Sequence, residues 1–268
     1  MATENSPVQA GAVVEHFDKL STNRGWSSLY ASADGNNYHF HVRRDRVLAL
    51  LPERLGRVLD VGCGPGVMTE VVLERGGVFH GVDLSPEMIK EGREKFGHLP
   101  NVSFAVGNIE AIDAADNSYD QLICMAVTEY LQTTDRALAE IARVLKPGGI
   151  AIITTPKRWT VSRVTVAATA PVRLLAKLLG AATADHLPRL RLQPRELDQA
   201  ARRASLVPDG GSQYHYTPFA YPLTRVAPGL TMRLNLPFER FHAGRGAFVS
   251  FWAHGYVGRY RKAGGLRV

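Results

Sequence analysis

The chain has 268 residues, enough for one large domain or two small ones, and its 45% apolar and 8% aromatic content suits an ordinary globular core. No run of about 18 apolar residues is present, which argues against a spanning helix, and the polar start "MATENSPVQA" lacks the regions of a secretory signal. The net charge of +7 is unevenly divided: residues 1 to 156 carry 14 Lys+Arg against 20 Asp+Glu, and residues 157 to 268 carry 18 against 5. So cationic a second part is either a solvated surface or faces an acidic substrate, partner or membrane.

Residues 1–56 read as an N-terminal helical cap, containing the stretch "NNYHFHVRR". From residue 57 strand and helix signals alternate. Strands are expected at 57–61, 78–82, 102–106, 119–125 and 149–154, with helices at 66–75, 86–95 and 134–145. Ser85 is a good N-cap ahead of Pro86, and "KPGG" at 146–149 stops a helix and turns the chain into a strand. This rhythm predicts a parallel sheet with helices on both faces. Past Pro156, residues 161–191 read as amphipathic helix with spaced arginines, and 194–205 as another helix. "SQYHYTPFAY" and "AFVSFWAHGYVGRY" read as two late strands around an irregular, Pro-rich stretch at 217–246. Cys63 and Cys124 have no partner at metal-ligand spacing, so no metal site is expected; they fit small buried hydrophobes in a reduced, cytoplasmic protein.

The informative stretch is "RVLDVGCGPGVMTEVV", 57–72, where Gly62, Gly64 and Gly66 join a strand to a helix. Such a turn lets a ligand lie against bare backbone at the carboxyl ends of the strands. The dinucleotide fingerprint needs a third glycine at position 67, which is Val67 here. Asp60 beside the turn disfavours a pyrophosphate and favours an ammonium group. Asp83 ends the next strand 21 residues after Gly62, where a carboxylate can accept both ribose hydroxyls. A nucleoside with a cationic tail fits this pattern better than a dinucleotide.

Four motifs in order, "VLDVGCGPG" (58–66), "GVDLSPEMI" (81–89), "YDQLICMAVTEYL" (119–131) and "RVLKPGGIAIIT" (143–154), resemble those of class I S-adenosylmethionine (SAM)-dependent methyltransferases. The nearest likeness is the small-molecule branch typified by quinone-biosynthesis enzymes. The resemblance implies a Rossmann-like α/β fold, with a mostly parallel seven-stranded sheet and helices on both faces. It divides a single structural domain into the cap, a SAM-binding core at 57–156, a lid or acceptor segment at 157–191, and a completion of the core at 192–268. It implies that Gly62, Cys63, Gly64 and Gly66 meet the methionine half of SAM while Asp60 orients the loop. Asp83 would hold the ribose, with Leu84 and Met88 near the adenine. Asn108 stands where the family often has Asp, with Ile109 at its side, and Ala126 would lie beside the sulfonium. An arginine 19 residues before the first glycine, Arg43, resembles one that binds the SAM carboxylate; Arg44 is one position off.

A methyl transfer can proceed by positioning alone, so no catalytic dyad is required. Glu129, Tyr130 and His39 are the candidates for catalysis, with Tyr38, His41, Tyr214, His215 and Tyr216 as further polar groups. The apolar face of 161–181, with Arg163, Arg173 and Lys177 along it, suits a lipophilic or acidic small-molecule acceptor, delivered from solution or from a membrane surface. O, N and C acceptors are all compatible with the sequence. A SAM-binding cyclase or binding module is the alternative on the same fold. A nicotinamide oxidoreductase is disfavoured by Val67, and a nucleic-acid enzyme by the lack of an appended module.

Overall fold

The computed structural model describes residues 10–24, 30, 37–161, 187, 189–216, 229–230, 233–235, 237, 239 and 250–264. Among the described residues, the first two helices with stated bounds are α1 (Ala10–Arg24) and α2 (Tyr38–Leu50). The alternating region follows: β1 (Arg57–Val61), α3 (Thr69–Glu74), β2 (Val78–Asp83), α4 (Pro86–Phe96), β3 (Val102–Val106), β4 (Tyr119–Cys124), α5 (Asp135–Val144) and β5 (Leu145–Pro156). The chain closes with α6 (Pro194–Arg203), β6 (Leu206–Tyr216) and β7 (Ala253–Lys262).

The seven strands form one sheet in the order β3-β2-β1-β4-β5-β7-β6. The pairings of β1 with β2 and β4, of β2 with β3 and of β4 with β5 are parallel; β7 runs antiparallel between β5 and β6. Both faces are covered, so Val58, Leu59 and Val61 of β1 are all buried although they point to opposite sides. Leu59 and Val61 join Leu138 and Ile141 of α5 and Leu197 of α6 on one face. Val58 joins Val47 of α2, Val72 of α3 and Ile89 of α4 on the other. Cys63 and Cys124 are buried small side chains within these two cores, as expected.

Helix α3 starts at Thr69, three residues later than expected, and three strands differ from expectation. Strand β5 starts at Leu145, four residues early, because "KPGG" is looped out inside it: Tyr119 pairs with Leu145, but Gln121 already pairs with Ile150. Gly148, at φ +79°, makes that bulge possible. Strand β6 starts at Leu206, although Pro208, Gly210 and Gly211 look like turn residues. It is the edge strand, where a missing N–H costs no ladder bond, and its register shifts between Pro208 and Gly211. Strand β7 starts only at Ala253, six residues late. Of the segments read as lid and insertion, residues 162–186 (with Arg163, Arg173 and Lys177) and 217–228 lie outside the described residues.

Candidate active site

The turn from β1 to α3 holds Gly62, Gly64 and Gly66 at φ +70°, +52° and +86°. These are left-handed angles that favour glycine. A Cβ on Gly62 would run into the Val127 side chain; one on Gly66 would lie 2.7 Å from Thr69 Oγ1 and 2.9 Å from Phe104 Cζ. Gly66 is thus demanded by the packing of the turn on β3, and it is not part of the cavity wall. Gly62, Cys63 and Gly64 are.

That wall encloses a cavity of about 720 Å³ along the carboxyl ends of the strands. At the β1–β3 end, the Gly64 N–H donates to Asp83 Oδ2 and the Ser85 N–H to Asp83 Oδ1, both at 2.9 Å. The carboxylate is fixed in place and keeps further lone pairs for a ligand. Ser85 caps α4 by accepting from the Met88 N–H at 3.1 Å, which sets Leu84 and Met88 on the wall. Asn108 and Ile109 also line it. Asn108 Oδ1 already accepts from the Glu110 N–H at 2.9 Å, leaving one lone pair for a donor such as an exocyclic amine.

Asp60 lies one layer beneath the turn, 2% exposed, rather than on the wall. Burial, and then the Asp83 carboxylate, push its carboxyl well above the usual carboxylate range. A cation at the turn would reverse that cost. The same burial, with both aspartates, keeps the Cys63 thiol protonated and unreactive.

After β4 the backbone is strained. Ala126 has φ +63° and is held by its N–H donating to Thr154 Oγ1 at 2.8 Å. Thr128 Oγ1 donates to the Thr154 carbonyl at 2.8 Å. This brings Ala126, Glu129 and Tyr130 to the cavity. Glu129 is buried and ion-paired with Arg189 at 3.2 Å, while the Leu190 N–H donates to its carbonyl at 2.7 Å. The Tyr130 ring stacks edge-on to Phe17 of α1 and carries the Arg189 guanidinium 5.6 Å from its centroid. Burial and the neighbouring Glu129 push its phenol up to about 12. At neutral pH Tyr130 is a hydrogen-bond donor, and a base role for it has no support in this setting.

Helices α1 and α2 roof the cavity. Arg43 of α2 is 8% exposed, with Phe40 stacked at 5.3 Å and Tyr30 Oη 3.4 Å from Nη2. Its buried Nε has no hydrogen-bond partner among the described residues. Burial alone would lower its guanidinium; Tyr30, Tyr214 and Glu129 outweigh that and hold it raised. Arg44 instead points to Asp45 at 3.8 Å and does not reach the cavity, nor do Tyr38, His41 and Tyr216. His39, Tyr214 and His215 do.

Lys157, Arg189, Arg191 and His254 also line the wall, and sequence reasoning did not single them out. One signal was available for His254: a last strand running antiparallel brings its first residues, not its last, to the carboxyl edge.

A buried arginine whose Nε has no hydrogen-bond partner among the described residues, two carboxylates short of a cation and a bare glycine backbone fit a zwitterionic, sulfonium-bearing nucleoside. Comparison with known proteins agrees. A family described as "Methyltransferase domain" matches residues 59–153. A ubiquinone biosynthesis O-methyltransferase of Xanthomonas oryzae pv. oryzae is 30% identical over 227 residues, covering 82% of this chain and 91% of the relative. The chain belongs to the SAM-dependent methyltransferases. Its fold is shared with a Haloferax volcanii methyltransferase solved in complex with the Trm112 activator (TM-score 0.62, 19% identity, 92% and 97% covered). It is also shared with the cyclase SpnF (TM-score 0.60, 18% identity, 97% and 98% covered). At these identities the two likenesses speak for the fold alone.

The cofactor of this methyltransferase is SAM, and its methyl acceptor is a small molecule. Among the described residues no helix is long and apolar enough to cross a membrane. No group of three or more His, Cys, Asp or Glu side chains among them is arranged to hold a metal ion.

Proposed function

We propose that the methyltransferase methylates a hydroxyl oxygen on a small, lipophilic, quinone-like aromatic acceptor. The observation that carries this reading is the lining of the cavity. Beside the glycine turn it is lined by apolar Phe17 and Leu20 of α1, by residues at the ends of β4 and β5, and by the cationic Arg189, Arg191 and Lys157. An apolar body with an oxygen-bearing, electron-rich rim matches such a lining. The relatives named for ubiquinone O-methylation support oxygen as the acceptor atom.

SAM, when bound, supplies a methyl group on a positively charged sulfur. In this reading Asp83 holds the ribose hydroxyls, and Leu84, Met88, Asn108 and Ile109 surround the adenine. The Gly62–Gly64 backbone takes the methionine half over the buried charge of Asp60, and Arg43 takes its carboxylate. Ala126 leaves room for the methyl to face the acceptor. Glu129, Tyr130 and His39 contact the acceptor, Tyr130 as a donor. Positioning of the oxygen in line with the methyl carbon is the main work of these residues. The excess of Lys and Arg after residue 156 supports a cytoplasmic protein that visits an anionic membrane surface to collect its acceptor.

The test is incubation with methyl-labelled SAM and a panel of catechols and polyprenylated hydroxyphenols, read by mass spectrometry. Label on a phenolic oxygen is expected. Label only on amines, or on small polar acceptors, overturns the reading.

A further inference from the structure

Glu239 belongs to the segment between β6 and β7, outside the motifs that carry the cofactor site. Its side chain is buried, 5% exposed, and meets two elements at once. On β6, its Oε1 accepts the Tyr216 N–H, and the carboxylate also receives the His215 N–H. His215 has φ +59°, a left-handed angle that a non-glycine residue adopts at a cost. Such an angle turns successive N–H groups toward one point, where they hold an anion. The end of β6 is therefore shaped around the Glu239 carboxylate. On α2, Arg46 Nη2 donates to the Glu239 carbonyl at 2.6 Å and lies 3.5 Å from its Oε2.

We propose that Glu239 is a positioning residue for SAM: it holds α2 on β6 so that Arg43 stands where the methionine carboxylate arrives. The inference rests on Arg43 taking that carboxylate, as proposed above, and names the residue that sets it in place.

The helix supports this assignment. Arg43 and Arg46 are three residues apart on α2, so they are neighbours on its surface. Arg43 lines the cavity, while Arg46 reaches Glu239, and neither Arg46 nor Glu239 is part of the cavity wall.

The strand supports it too. Tyr214, next to His215, lines the cavity and acts on the Arg43 guanidinium together with Tyr30. Strand β6 thus meets α2 twice within three residues: through Tyr214 and Arg43 at the cavity, and through Glu239 and Arg46 away from it. Truncating Glu239 takes the acceptor from two N–H groups and the partner from Arg46. The helix is then released from the strand, and Arg43 moves with it.

The effect is confined to one end of the cofactor. In the proposed reading the ribose and adenine are held by Asp83, Leu84, Met88, Asn108 and Ile109. Those residues lie at β2, at the start of α4 and after β3, toward the opposite border of the sheet from β6. A change at Glu239 therefore reaches the carboxylate of SAM and spares the nucleoside.

The experiment is calorimetric binding of SAM, and of a SAM analogue lacking the carboxylate, to the full chain. Wild type, E239A, R43A and the double variant E239A/R43A are compared. E239A is expected to bind SAM about tenfold more weakly and the analogue as tightly as wild type. In the R43A background the same change is expected to cost less than about twofold, since residues acting through one contact are not additive. R46A removes the α2 end of the brace and is expected to show the same pattern. It is run beside E239A, with thermal melting certifying each fold, and decides the question if E239A does not fold. Equal losses for SAM and the analogue, full additivity with R43A, or unchanged SAM affinity in the folded variants overturns the positioning role and leaves the Arg43 reading standing. SAM affinity unchanged in R43A overturns both.

Discussion

The Gly64 N–H donates to Asp83 Oδ2 at 2.9 Å, so the glycine turn and the end of β2 are one rigid unit. In the proposed reading a change at Asp83 acts twice: it removes the acceptor of two ligand hydroxyls and unties the turn. Asp83→Ala is expected to weaken SAM binding by roughly 1 to 3 kcal/mol in calorimetry, the usual cost of stranding polar groups. Asp83→Asn keeps one oxygen and loses less. Equal SAM affinity in all three proteins would place the ribose elsewhere.

Asp60 separates stability from affinity. Its carboxyl is held above the usual range by burial and by Asp83, so the folded state grips that proton more tightly than the unfolded chain does. This favours folding below the ordinary carboxylate range and is lost as pH rises through the folded value. At neutral pH, Asp60→Asn therefore raises the melting temperature of the cofactor-free protein. It also shrinks the further rise that SAM produces. Scanning calorimetry with and without SAM measures both; a variant that melts lower and binds SAM as well as wild type contradicts the assignment.

Arg43 and Arg44 are adjacent in sequence, and only Arg43 reaches the cavity. Arg43→Ala should cost about 1.5 to 3 kcal/mol of SAM affinity, the range for hydrogen bonds to charged groups. Arg44→Ala should leave it unchanged. A SAM analogue lacking the carboxylate should bind wild type and Arg43→Ala alike.

Gly66 and Gly76 form a matched pair for stability. Both have positive φ, +86° and +76°, but only Gly66 has neighbours in the way of a Cβ; Gly76 has none within 4 Å. Alanine at Gly76 costs the backbone term of about 1 to 2 kcal/mol. Alanine at Gly66 should cost clearly more in urea denaturation, because Thr69 and Phe104 must move. Equal losses would mean that the turn relaxes freely.

Much of this was legible in the sequence because the cofactor half is local. Gly62, Gly64, Asp83 and Met88 all follow directly from strand ends, and parallel β-α units bring consecutive strand ends to one edge. The acceptor half was less legible. Lys157, Arg189 and His254 reach the cavity through β5, the segment after it and the antiparallel β7, whose contacts are not local in sequence. Pro208, Gly210 and Gly211 masked β6, since turn-forming residues on an edge strand look like a turn. Asp60 was legible by type beside the turn, and alternation along β1 sends it beneath the turn, off the cavity wall.

The same irregular β6 governs how the sheet ends. An outermost strand offers unpaired N–H and C=O groups to any passing chain, and a flat, regular one invites aggregation by strand addition. Here Pro208 removes a donor and the shift before Gly211 breaks the regular repeat, while β3 at the opposite border is only five residues long. Replacing Pro208 with Val and straightening the bulge would lengthen the template, and solubility on heating would report the change. A sequence chosen only for local strand propensity would have removed both safeguards.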